Sequence, residues 1–163
     1  KSNALSSKFF DLSPGLVLGL PFWDIEKFAS IIETISFKSY DVAMTCLQDG
    51  SEVLPKMGRE REAFLSMATA LAAGPWREIG GSLEASSQVI SKIDEVYRAD
   101  MFRLGEQLAK SGYRDVAAFL HNGSNSLGQL GSLFQHDVLD LCQQLMDISP
   151  EAVPYFLGSL EVP

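Results

Sequence analysis

Residues 108–130, LAKSGYRDVAAFLHNGSNSLGQL, decide the fold, because near-copies of them recur along the chain. Residues 71–93 read LAAGPWREIGGSLEASSQVISKI, and residues 35–57 read ISFKSYDVAMTCLQDGSEVLPKM. Each copy runs apolar residue, four residues, aromatic, two residues, aliphatic or small residue, three residues, leucine. The anchors are Ile35/Tyr40/Ala43/Leu47, Leu71/Trp76/Ile79/Leu83 and Leu108/Tyr113/Val116/Leu120. Leu71 lies 36 residues after Ile35, Leu108 lies 37 after Leu71, and a truncated copy, Leu145/Pro150/Val153/Leu157, begins 37 further on. Self-similarity at such a period marks a stacked array of supersecondary units. The predicted fold is all-α: an α–α superhelix, or solenoid, of about four repeats of ~37 residues with a half-repeat at each end.

An amphipathic segment precedes each anchor set. Phe28, Ile31, Ile32 and Ile35 follow the i, i+3, i+4, i+7 spacing that puts residues on one helix face. Phe64/Met67/Ala68/Leu71, Met101/Leu104/Gly105/Leu108 and Val138/Leu141/Cys142/Leu145 repeat the pattern. A tight break then starts a second helix, signalled by Ser39, Gly74-Pro75, Ser111-Gly112 and Ser149-Pro150-Glu151. Two amphipathic helices joined by a short turn form an antiparallel pair. Gly50-Ser51 and Gly123-Ser124 predict a break and a short third helix carrying Leu54/Met57 or Leu127/Leu130; in the second copy the helix is expected to run unbroken to Ile93. Asp11-Leu12-Ser13-Pro14 mirrors Asp147-Ile148-Ser149-Pro150, which predicts a lone second-type helix at residues 16–20.

Residues 1–8 are set aside as tag-like, leaving a single domain at 9–163. Its apolar ends predict a segment of a longer protein, since arrays require polar caps. Hydrophobic residues make up 46% and charged residues 21% of the chain, proportions that exclude disorder. A net charge of −8 and the lack of a basic run exclude nucleic acid as a partner. Residues 16–23 are too short and too interrupted for a membrane span, and the expected setting is cytoplasmic.

His121 and His136 fit no metal-ligand spacing, and no nucleophile elbow or phosphate loop occurs, so no cofactor, metal or catalytic group is expected. Cys46 and Cys142 fall on apolar faces in different copies and read as separate buried thiols. Gly80-Gly81 reads as a close helix contact, and His121 as solvent-facing. The charges at residues 59–62, RERE, read as a solvated helix start. Tyr40, Trp76 and Tyr113, in register with the leucines, read as core.

The layout resembles the HEAT/armadillo class of α-solenoids, whose repeats are somewhat longer. Leu104-Gly105 and Ala117 fall at signature positions of the tetratricopeptide class, whose later aromatic position is His121 here. Leu-Ala-x3-[aromatic/Pro]-x2-[Val/Ala]-x3-Leu is also similar to the helical region beside von Willebrand A domains in bacterial proteins assisting nitric oxide reductase or rubisco activation. That resemblance implies an AAA+ ATPase system as a partner; the A domain's Asp-x-Ser-x-Ser is absent from the chain. The function these features predict is a non-catalytic scaffold holding a protein or peptide segment along a groove. The competing classes are an enzyme or small-molecule binder with a site between helices, and a plain spacer. Arg77, Arg114 and Asp115, with Glu78 and Asp41 in equivalent places, alternate with the core anchors and are the predicted contact strip.

Overall fold

The computed structural model describes residues 19–160, so the tag-like start and most of the expected half-repeat at 16–20 lie outside the described residues. Eight α-helices follow one another, with no strand among the described residues: α1 (Phe22–Ser36), α2 (Tyr40–Val53), α3 (Arg61–Ala73), α4 (Glu78–Lys92), α5 (Glu95–Lys110), α6 (Val116–Gly128), α7 (Ser132–Ile148) and α8 (Ala152–Gly158). A 3-10 turn, Leu54–Lys56, extends α2. No described helix is long and apolar enough to cross a membrane.

Packing skips one helix at a time. Helix α1 packs on α3, α3 on α5 and α5 on α7, while α2 packs on α4, α4 on α6 and α6 on α8. Sequence neighbours join the two rows into antiparallel pairs. The apolar spacing causes this arrangement. Phe28, Ile31, Ile32 and Ile35 are at most 3% exposed, and their counterparts on α3 and α5 are equally buried. Phe64 and Phe102 meet edge to face across α3 and α5, with ring centroids 5.4 Å apart. On α7 the stripe is half-covered: Cys142 is buried, but Leu141 is 42% exposed.

Of the expected third helices, only the 3-10 turn at Leu54–Lys56 has a counterpart, and it continues α2 without the expected break. Helix α2 runs through Gly50-Ser51, and α6 runs through Gly123-Ser124 to Gly128. A glycine can end a helix, but these two serve contact between helices. A β-carbon on Gly50 would enter the Phe28 ring, and one on Gly123 would lie 2.6 Å from Met101 Cε. Ser51 donates to Leu47 O within its own helix, so it does not cap a new one. Gly81 follows the same logic: its β-carbon would stand 2.8 Å from the Ala117 methyl, so α4 and α6 approach closely there, as expected.

Ser39 caps α2 as predicted, accepting from Val42 N. Gly112 acts as a stop signal. With φ at 92° it ends α5, and Tyr113 N donates to Leu108 O while Gly112 N donates to Ala109 O. Helix α4 begins at Glu78 and α6 at Val116, leaving Trp76 and Tyr113 in the connecting turns. This corrects the core assignment of the aromatics: Trp76 and Tyr113 are half-buried and Tyr40 is exposed. Trp76 and Tyr113 pack against the core without being enclosed by it. The leucine anchors Leu47, Leu83 and Leu120 are fully buried.

Residues 59–62 are also corrected. Arg59 and Glu62 are exposed, but Glu60 is completely buried, and Arg61 Nε donates to the buried Asp24 Oδ2 at 2.8 Å. Arg61 also donates to Met57 O, tying α1 to the start of α3. Buried Gln135 on α7 does similar work elsewhere. It donates to Leu127 O and Leu130 O and accepts from Asp94 N, satisfying backbone groups at the end of α6 and the start of α5. Cys46 and Cys142 are both buried and free, as expected.

Candidate binding cleft

The turns before α4 and α6 lie side by side, and between them they enclose a cleft of about 620 Å³. Trp76 forms part of its wall, and Arg77, Lys110 and Arg114 bring three cations to it. The Arg77 guanidinium lies over the Trp76 ring, 5.0 Å from the centroid. Lys110 Nζ is held by Glu106 Oε1 at 2.9 Å, and the same oxygen accepts from Ser66 Oγ. Among the described residues neither Arg77 nor Arg114 forms an ion pair.

Glu78 is the acid in the cleft lining. Burial pushes its carboxyl up from the ordinary range and the neighbouring Asp115 charge adds to this, while the backbone N–H groups of Ala117 and Val116 at the start of α6 oppose it. Asp115 holds the N-cap position of α6 without a side-chain capping bond, and it is exposed. The structure thus unites Arg77 with Arg114 in one cleft and leaves Asp115 outside its lining. Burial, then Asp115 and Glu78, push the Tyr113 phenol up.

A second depression, about 720 Å³, continues along the same two helices and reaches α2. Its floor holds small residues, Gly81, Ala85, Ala117 and Ala118, and its rim holds Asp49, Glu52, Glu84, His121 and Lys56. Burial first, then the charges of Glu84 and Glu52, push the Asp49 carboxyl up. His121 is exposed at this rim, as expected of a solvent-facing residue. Lys110 and the acidic rim escaped the sequence reading because each copy supplies a different residue to them. Only the stacking of layers makes one surface of Asp49 and Glu84.

Among the described residues no cluster of His, Cys, Asp and Glu has the arrangement of a metal site. No protein-family model, no curated protein and no solved structure matches this chain.

Proposed function

We propose that the chain is a stretch of α-solenoid of the HEAT/armadillo kind that holds an extended segment of a partner protein and carries out no catalysis itself. The supporting observation is the pair Arg77 and Arg114. Supplied by consecutive layers, they line one cleft and keep their donors free of carboxylates in a chain of net charge −8. A guanidinium presents a planar fork that grips a carboxylate through two hydrogen bonds. The partner is accordingly a protein segment bearing acidic side chains, bound in a cytoplasmic setting, and an AAA+ ATPase system is one source of it.

Titration with a hexaglutamate peptide flanked by glycine and serine, followed through Trp76 emission in a Trp23→Phe background, tests this. Arg77→Ala/Arg114→Ala is expected to weaken binding at least ~10-fold, with helicity and melting temperature retained. Equal binding by the double variant would remove the cleft from the interface. If inorganic phosphate or a small dicarboxylate binds as tightly as the peptide, the small-molecule alternative is the better reading.

A further inference from the structure

The cationic cleft and the acidic groove are neighbours on one seam. Helices α4 and α6 both enter from the cleft, at Arg77 and Arg114, and both continue into the groove, at Gly81 and Ala117. Going along α4, the charge changes sign, while α6 carries no acid and only His121 beyond Arg114. Glu84 on α4 stands seven residues beyond Arg77, and Asp49 and Glu52 face it from α2. Between the two ends α4 and α6 approach closely through Gly81 and Ala117. Lys56 and His121 also stand on the rim, so the acidic end has its own boundary.

We infer that the α4–α6 seam binds an extended peptide of two signs, with an acidic residue at Arg77 and Arg114 and a basic one at Glu84, Asp49 and Glu52. This deepens the proposed function and rests on its reading of the arginine cleft. Complementary charge makes the case. Three carboxylates crowd the groove, and the lysine sharing its rim forms no ion pair with them. A cation seated there would relieve the repulsion felt by Asp49. Seven helical residues span about 10 Å at ~1.5 Å each. An extended chain at ~3.3 Å per residue covers that distance in about three residues. The acid and the base should therefore stand about three positions apart, and a peptide whose charges are interleaved should fit poorly. Charge placed at both ends fixes register.

Three amidated, acetylated peptides of the same composition test this: EEGSGKK, its reverse KKGSGEE, and the interleaved EKGSGKE, each followed by Trp76 emission in the Trp23→Phe protein. The first two, each with one acidic and one basic end, are expected to bind at least ~10-fold tighter than the interleaved form. Glu52→Lys/Glu84→Lys, both at exposed positions, should erase that preference and favour the all-acidic EEGSGEE, with the helical spectrum unchanged. Ala118→Leu, which adds bulk to the floor from an exposed position, should weaken every peptide. Equal affinity for the three same-composition peptides would overturn the two-sign seam. If an acidic peptide depends on Arg77 and Arg114 but is indifferent to Glu52→Lys/Glu84→Lys, the seam fails while the arginine cleft stands. Absence of binding by all peptides, hexaglutamate included, would overturn both.

Discussion

Arg98 Nη1 stands 3.7 Å from Glu60 Oε1, a carboxylate with no exposure to solvent and no hydrogen bond to either oxygen. At that distance the attraction is electrostatic, without a hydrogen bond. Arg98 is fixed by donating from Nε to Ile93 O at 2.9 Å, so α5 holds its charge against the carboxylate at the start of α3. Breaking a buried pair leaves an uncompensated charge, which costs about 3–5 kcal/mol. Arg98→Met should therefore lower the urea midpoint markedly. Adding Glu60→Gln to it should restore most of the loss, since the stranded charge is gone. Equal midpoints for Arg98→Met and the wild type would show that Glu60 finds another partner.

Leu120 is fully buried, whereas Trp76 is half-buried at the cleft. Leu120→Ala should cost ~2–5 kcal/mol through lost burial and the cavity left behind. Trp76→Ala should cost less, about 1–2 kcal/mol, because much of its area is already in contact with water. Paired chemical denaturation curves check the ordering. A Trp76 variant as damaging as the Leu120 variant would place the indole in the core after all.

The glycines within helices make opposite predictions according to what faces them. A β-carbon at Gly50 would collide with the Phe28 ring, so Gly50→Ala should destabilise by about 1–3 kcal/mol even though alanine favours the helix by up to ~1. At Gly158, in the last turn of α8, a β-carbon meets open space, and Gly158→Ala should be neutral or slightly stabilising. Melting temperatures of the two variants moving in the same direction would contradict the close approach at Gly50.

Burial pushes the Cys46 thiol up from 9.0 to about 11, with Asp49 adding to the effect, and burial alone pushes Cys142 to about 12. Both should resist alkylation in the native protein at pH 8, because little thiolate forms. A folded-state value above the unfolded one contributes stability that is complete below pH 9 and is lost as pH rises towards 11 and 12. Thiol labelling in native buffer should thus track unfolding, and the melting temperature should fall across that alkaline range. Rapid labelling at pH 8 without unfolding would show that the cysteines are open to solvent.

How much of this was legible in sequence depended on distance along the chain. The stripe Phe28/Ile31/Ile32/Ile35 and its copies declare buried helix faces, since residues three and four apart necessarily share a side. Ser39 likewise announces the start of α2, because a cap bonds the backbone three residues on. Gly50 and Gly123 were misread as breaks for the complementary reason. A glycine's local meaning is freedom to end a helix, but here its lack of a side chain admits Phe28 and Met101 from other helices. The buried state of Glu60 was hidden in the same way, since its neighbour Arg98 belongs to another layer.

The sequence by itself determined the all-α class, where most helices lie, and that Leu47, Leu83 and Leu120 are buried, though not that Leu141 is exposed. Those properties follow from periodicity and capping, which act within a few residues. It also marked Arg77 and Arg114 as equivalent, because the repeat places them in the same register. Only the tertiary structure decided that these arginines line one cleft without carboxylate partners, and that Asp49 and Glu52 on α2 line one groove with Glu84 on α4. Charge interactions act through space between side chains from separate helices, and no local pattern encodes which helix supplies the partner.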